Sequence, residues 1–224
     1  MSKKPLKAST RKKLEEVMQV KRKKIESLHR LPPYTVVFCE GIKTEPYYIE
    51  GLTKQVNQKY AQYTTNDRVT VIGTGRNTRS LLEYARKTVG SKFPECSVVW
   101  LMYDKDDFPY DDFDNTQFSA ESRSCNQEYH VAWSNECIEL WFIMHYQPLF
   151  SHISRDQYIN ILRQYFPYGK NMRNIYGILR EKTPIVIANA IILYSQYGSE
   201  TSPSQRTPAT RVQELVMYLQ EYLY

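Results

Sequence analysis

The chain alternates short apolar runs with longer segments in which apolar residues recur at helical spacing. Short runs rich in apolar residues occupy residues 34–39, 68–72 and 97–103, and an amphipathic segment follows each of the first two. Runs that are apolar at nearly every position indicate strands buried on both faces. The order strand, helix, strand, helix, strand predicts an α/β fold, with a parallel sheet sandwiched by helices because right-handed crossovers place helices on both faces.

Two of these strands end in acidic residues. The run VVWLMY leads into Asp104, Asp106 and Asp107, and the run TVVFC leads into Glu40. Ligands of open α/β sheets bind at the carboxyl ends of the strands, so these acids are predicted to share one edge. Carboxylates at one edge repel each other unless positive charge lies between them, and a divalent metal is the simplest candidate. The alternative is that the aspartates form turns or helix caps and that Glu40 is solvated.

A short strand and a mostly helical C-terminal part follow. A strand is predicted at residues 129–133, and a loop at Ser134 and Asn135. The apolar segment after them is predicted to form a helix that carries Glu139. A carboxylate is costly to bury in such a helix unless it is paired or binds a metal, whereas on an exposed stripe it would be solvated. Residues 151–224 predict further helices.

Positive charge is concentrated at the N-terminus. The 224 residues have a net charge of +6, but residues 1–30 hold eleven of the 30 Lys and Arg and three of the 24 Asp and Glu. Apolar residues at helical spacing predict a basic helical arm there, which could follow nucleic-acid phosphates, dock on a partner protein or stay solvated. The predicted domains are the arm (1–31), a metal-binding core (32–150) and a helical C-terminal extension packed on the core (151–224).

The composition also argues against some classes of protein. No apolar segment has the length of a membrane span, and none has the layout of a secretory signal, so we expect a soluble cytoplasmic protein with no membrane partner. The four cysteines show no CxxC spacing. Structural zinc and a disulfide framework are therefore not expected.

Four motifs occur in a specific order along the chain: TVVFCEGIKTEPYYIEGL, VVWLMYDKDDFP, WSNECIELWFIMHYQ and PATRVQELVMYLQ. As a set they resemble the RloB/AbiL-type proteins of bacterial phage-defence loci, which are similar to the Toprim superfamily. The resemblance runs from about residue 34 to the C-terminus. It implies a Toprim-like core and an Mg²⁺- or Mn²⁺-dependent nuclease.

The resemblance also implies roles for particular residues. It assigns metal binding to Glu40, Asp104 and Asp106, with Glu40 as an alternative general acid or base. It places a second metal site at Ser134 and Glu139. Carboxylates on separate loops suit magnesium, which keeps several waters and needs few protein oxygens.

Two lysines are candidates for stabilising negative charge during catalysis. The resemblance implies an assisting lysine downstream, for which Lys170 is the match, and Lys43 lies close to Glu40 in sequence. The family pattern often has proline after Ser-Asn, where this chain has Glu136. That substitution adds an acid beside the predicted site.

The leading functional hypothesis is a metal-dependent nuclease that acts on DNA, or on RNA such as tRNA, as the effector of a phage-defence or abortive-infection system. The resemblance further implies a partner ATPase encoded at the same locus. One alternative is a non-catalytic subunit of such an ATPase complex that binds nucleic acid or a partner. Another is a different Toprim reaction, such as strand passage or primer synthesis.

Overall fold

The computed structural model describes residues 31–106, 109–122 and 126–224, together with residues 12, 16, 18 and 19. Those four positions are helical, but the rest of the predicted basic arm lies outside the described residues, and so does Asp107. The chain divides into two compact units, Met1–Pro32 and Pro33–Tyr224. The domain boundary at residue 150 stays a prediction.

The second unit is built around a mixed five-stranded sheet. In chain order the strands are β1 (Thr35–Cys39), β2 (Val69–Gly73), β3 (Val98–Asp104), β4 (Glu128–Asn135) and β5 (Ala209–Thr210). Their spatial order is β2-β1-β3-β4-β5, and the first four are parallel. Strand β5 is antiparallel to β4.

The α-helices connect and cover these strands. They are α1 (Thr44–Tyr60), α2 (Thr78–Lys92), α3 (Tyr110–Glu121), α4 (Glu139–Ile143), α5 (Arg155–Tyr165), α6 (Ile175–Leu179), α7 (Thr183–Tyr194) and α8 (Val212–Gln220). Two 3₁₀ turns occupy Arg180–Lys182 and Pro203–Gln205.

Helices cover both faces of the sheet. On one face, alternate residues of the central strands pack with α2 and α3, and Leu101, Leu81 and Phe113 belong to this cluster. On the opposite face, the ring of Trp100 lies 5.6 Å from that of Tyr218 in α8. Because β1 and β3 are buried at every position, they read as continuous apolar runs in the sequence. The prediction of an α/β fold is confirmed.

The prediction of a wholly parallel sheet is wrong at β5. This strand has only two residues, too few to produce a recognisable alternation of apolar and polar positions. The predicted loop at Ser134 and Asn135 is also wrong. Both residues belong to β4, where they pair with Thr210 and Ala209 of β5.

Two further expectations concern the class of protein. None of the helices in the described part of the chain has the length and apolar character needed to cross a membrane. The cysteines at positions 39, 96 and 137 are buried free thiols.

Candidate functional site

The site begins where β1 and β3 end side by side. The two strands are hydrogen-bonded neighbours, so Glu40, which follows β1, lies beside Asp104, the last residue of β3. The backbone N–H of Asp104 donates to Oε2 of Glu40 at 3.2 Å. The parallel direction of the two strands therefore brings these carboxyl groups to one edge of the sheet.

Asp104 is buried at the centre of a group of acids. Burial raises its pKa well above the usual range, and the negative charges of four neighbours raise it further; in order of effect these are Glu45, Asp106, Glu139 and Glu40. We call the five residues Glu40, Glu45, Asp104, Asp106 and Glu139 the acidic edge. Such mutual repulsion opposes ionisation of all five groups at once.

The same electrostatics act on Glu40, which is less deeply buried. Burial raises its pKa to about 8, and the charges of Glu45 and Asp106 act in the same direction. The hydrogen bond from the Asp104 N–H and the charge of Arg155 act in the opposite direction. Glu40 can therefore accept or release a proton near neutral pH, as a general acid or base must.

Each carboxylate of the acidic edge has one oxygen anchored by a protein donor. The donors are the backbone N–H of Asp104 for Glu40, of Gly41 for Glu45 and of Ile138 for Asp104, the guanidinium of Arg155 for Asp106, and the hydroxyl of Tyr168 for Glu139. A carboxylate has two oxygens and about four acceptor positions. The anchors therefore fix the side chains and leave acceptor capacity for a further ligand.

Glu139 has the least solvent-exposed side chain of the five. It is the first residue of α4 and only 2% exposed, and its Oε1 accepts a hydrogen bond from the Tyr168 hydroxyl at 2.9 Å. Its Oε2 is buried, and no described residue donates a hydrogen bond to it. An unpaired buried oxygen is costly in an apo protein, so Glu139 is suited to a ligand that brings positive charge.

The guanidinium of Arg155 pairs with a carboxylate of the acidic edge. Its Nη1 lies 2.5 Å from Oδ1 of Asp106. Arg155 is the first residue of α5, and the preceding Ser154 N–H donates to the Gln157 side chain at 2.8 Å, which fixes the start of this helix. A cation is electrostatically unfavourable at a helix N-terminus, so the contact with Asp106 compensates for its position.

Sequence reasoning missed Glu45, Arg155 and Tyr168. Glu45 could have been found: it lies in the first turn of a helix that begins at the carboxyl edge of the sheet, only five residues after Glu40. Its carboxylate fills the space beside Gly41, where a Cβ would overlap with it. No local signal identifies the other two residues, because only the tertiary fold brings them to the acids.

The remaining predicted residues lie in different environments. Ser134 is buried and pairs in register with Asp104, but its hydroxyl lies 3.1 Å from that of Thr210 and shares a hydrogen bond with it. Lys43 is exposed at the start of α1, and Lys170 is exposed two residues after Tyr168. Their predicted roles stay predictions.

The donor set has the chemistry of a hard cation site, although it is not arranged as one. Oxygen ligands suit Mg²⁺ or Mn²⁺, and the unpaired Glu139 oxygen and the mutual repulsion of the acids both favour an added positive charge. Among the described residues, however, no group of three or more His, Cys, Asp or Glu side chains is arranged so that it could hold a metal ion.

The family model for RloB-like protein matches residues 35–219. The chain belongs to this family. The match runs from β1 into α8 and so includes every residue of the acidic edge, as well as Arg155 and Tyr168. Comparison with curated proteins gives no match, and comparison with solved structures gives none either. The resemblance inferred from the four motifs is thus confirmed at the level of the family.

Proposed function

We propose that this RloB-like protein is a Mg²⁺- or Mn²⁺-dependent nuclease that hydrolyses phosphodiester bonds of DNA or RNA. The observation that carries the proposal is the convergence of five carboxyl groups from separate elements, with Arg155 as the contacting cation. Burying so many acids together destabilises the apo protein, and such an arrangement is typical of sites adapted to function. A Toprim-like relationship for the core is part of the same proposal.

Glu40, Asp104, Asp106 and Glu139 would hold the metal. A divalent cation at this edge would supply positive charge to the scissile phosphate and help to activate water for attack. Metal binding requires side-chain movement, because the carboxylates of the described residues are not yet arranged to hold a metal ion. Ser134 is a weaker candidate ligand, since its hydroxyl already bonds to Thr210.

The protein's own groups would then handle protons and phosphate charge. If Glu40 does not bind the metal, its pKa of about 8 would instead let it take a proton from the attacking water or give one to the leaving oxygen. Arg155 has a buried Nε from which no described residue accepts a hydrogen bond. This spare donor could bind a phosphate oxygen, the role for which Lys43 and Lys170 were the candidates from sequence.

The biological setting is proposed from family membership. The chain would act as a phage-defence or abortive-infection effector in the cytoplasm, together with an ATPase from the same locus. A second candidate function is a non-catalytic subunit that binds nucleic acid or a partner. It is favoured by the lack, among the described residues, of side chains already arranged to hold a metal.

One experiment separates the two functions. The purified chain is incubated with plasmid, single-stranded DNA and total RNA, with Mg²⁺, with Mn²⁺ and with EDTA. A nuclease gives products that depend on the metal and that disappear in Asp104→Asn. Binding without cleavage under every condition would leave only the non-catalytic function.

A further inference from the structure

A polar cleft opens beside the acidic edge. It has a volume of about 530 Å³, and Asp106 forms part of its wall. The β3–α3 turn contributes Lys105 and Tyr110 to the lining, and more distant parts of the chain contribute His152 and Ser204. A volume of this size suits one small polar ligand, or one nucleotide of a longer strand, but not a stacked duplex.

The walls of the cleft are held in place by hydrogen bonds. The Ser204 N–H and hydroxyl each donate to a carboxylate oxygen of Asp114 in α3, both at 2.7 Å. The Asn135 amide donates to the Ser204 carbonyl at 3.0 Å. Nε2 of His152 lies 3.4 Å from Oε1 of Glu136 on the facing wall. The cleft is therefore preformed, which lowers the entropy cost of ordering a ligand in it.

Tyr110 is an exposed aromatic ring in this polar wall. Its side chain stands at the start of α3 and is 67% exposed, and the Lys105 ammonium lies 4.5 Å from the ring centroid. An exposed ring next to the proposed cleavage site offers a stacking platform, one of the features by which proteins bind single strands. Lys105 itself is only 6% exposed, and its ammonium donates to the Asp106 carbonyl at 3.4 Å, so it adds positive charge to the wall beneath the ring.

We propose that the cleft receives one unpaired nucleotide next to the scissile phosphate, with its base stacked on Tyr110, so that the substrate is a single strand or an unpaired loop. This rests on the proposed nuclease function, because Asp106 links the cleft to the acidic edge. In a duplex the bases stack on each other, and their faces become accessible to a side chain only when the nucleotide is unpaired or flipped out. Selection for unpaired nucleic acid therefore follows from the position of Tyr110.

Fluorescence anisotropy tests the proposal on the full chain carrying Asp104→Asn, so that bound strands are not cut. The probes are one labelled sequence as single-stranded DNA, as single-stranded RNA and as blunt duplex DNA, all in the presence of Mg²⁺. The added variants are Tyr110→Ala, Tyr110→Phe and the matched control Phe118→Ala, which removes another exposed aromatic ring from α3, 56% exposed and outside the cleft lining. Thermal melting of each variant checks its folding.

Single strands should bind more tightly than the duplex, and Tyr110→Ala should weaken single-strand binding about tenfold, within the range measured for loss of a stacked aromatic ring. Tyr110→Phe and Phe118→Ala should bind like the parent. Tighter binding of single-stranded DNA or of single-stranded RNA would support the proposal equally and would show which of the two nucleic acids the cleft prefers. Equal affinity for duplex, an effect of Phe118→Ala as large as that of Tyr110→Ala, or no binding of any probe would overturn it.

The outcome is distinguishable from failure of the nuclease proposal itself. If the wild-type chain cleaves nothing but single-strand binding still depends on Tyr110, the cleft is a recognition site of a non-catalytic subunit and the stacking inference stands. If the wild-type chain cleaves duplex DNA as fast as single strands and Tyr110→Ala leaves both rates unchanged, the nuclease proposal stands and the stacking inference is wrong.

Discussion

Two clusters of charged residues in this protein differ in how well their charges are balanced. Arg211 donates to both carboxylate oxygens of Glu214 at 2.7 and 2.6 Å and to Glu121 at 2.8 Å. At the acidic edge, four other carboxyl groups surround that of Asp104, and Arg155 pairs with one of them. In the first cluster one cation pairs with both acids, whereas at the acidic edge the Arg155 guanidinium pairs with one acid of five.

The pKa shifts differ accordingly. Burial alone would lower the pKa of Arg211, but its bonds to Glu214 and the charge of Glu121 raise it overall, so its ionised state is stabilised. The pKa values of Glu40, Glu45 and Asp104 are all raised, chiefly by burial and also by neighbouring negative charge, so their ionised states are destabilised. Paired charges of this kind stabilise a fold, whereas several buried acids with raised pKa values are typical of sites that bind a ligand.

Replacing Asp104 should give the largest effect. Asp104→Asn keeps an acceptor for the Ile138 N–H but removes one negative charge from the acidic edge. Cleavage should fall by about a thousandfold, near the upper end of the loss seen when one charge-stabilising group is removed from an active site. The melting temperature should stay unchanged or rise, because repulsion is relieved. Initial cleavage rates and thermal melts of the same preparations give both quantities.

Glu214→Gln provides the matched control in the balanced cluster. It also removes one negative charge, but here it replaces one of the two oxygens that accept from Arg211 with an NH₂ donor, so it should lower the melting temperature while leaving cleavage per folded molecule intact. Wild-type cleavage by Asp104→Asn would remove Asp104 from the proposed mechanism. A higher melting temperature for Glu214→Gln would contradict the structural role given to the Arg211 cluster.

The free energy of unfolding of the apo protein should decrease as pH rises, because carboxyl groups of the acidic edge keep their protons in the folded chain. Glu40 has a pKa of about 8 in the folded chain and near 4.5 when unperturbed. Between these pH values the folded chain keeps a proton that the unfolded chain has lost, so the free energy of unfolding decreases as pH rises. The decrease from pH 5 to pH 8 is on the order of 3 kcal/mol for this group.

Denaturant unfolding in EDTA at several pH values measures this decrease. Glu40→Gln should reduce the dependence, with the raised pKa values of Glu45 and Asp104 maintaining the remainder, and Glu83→Gln, which changes an exposed glutamate in α2, should not reduce it. Mg²⁺ should raise stability more at pH 8 than at pH 6, because a cation binds ionised carboxylates. A free energy of unfolding that increases from pH 5 to pH 8 in EDTA would show that Glu40 is ionised in the apo protein.

The fold and the two central acids could be predicted from sequence because both depend on local patterns. Buried parallel strands are apolar at every position, and their carboxyl ends share an edge, so Glu40 and Asp104 could be placed from their positions in the chain alone. Glu45 depends on the same rule and was overlooked only because it follows the turn instead of ending a strand.

The rest of the site depends on contacts between distant parts of the chain. Arg155 pairs with an acid 49 residues earlier, and Tyr168 bonds to one 29 residues earlier. No spacing rule connects such positions, and both residue types are common on helix surfaces. The strand β5 was missed for a related reason, because its two residues are defined by pairing with β4 and not by their own pattern.

The third prediction concerns the balanced cluster. Arg211→Gln leaves Glu121 and Glu214 without their counter-charge. Loss of one partner of a fully buried ion pair costs about 3–5 kcal/mol, but Glu214 is 37% exposed, so we expect about 2–3 kcal/mol. Denaturant unfolding at pH 7 measures the loss, and the double variant with Glu214→Gln should recover part of it. A loss below that of Arg155→Gln would contradict the comparison of the two clusters.

The smallest effect on stability is expected for Arg155→Gln. This variant tests whether Arg155 competes with a metal for the carboxylate of Asp106. The Arg155 side chain is 41% exposed, so its pair with Asp106 should contribute no more than about 1 kcal/mol. A metal entering the edge competes with this guanidinium for the same carboxylate. Removing the competing charge should therefore tighten Mg²⁺ binding by up to about fivefold, which is the same free energy expressed as affinity. Calorimetric titration of the variant and the parent with Mg²⁺ measures the difference. Weaker Mg²⁺ binding by Arg155→Gln would mean that Arg155 holds Asp106 in position for the metal and does not compete with it.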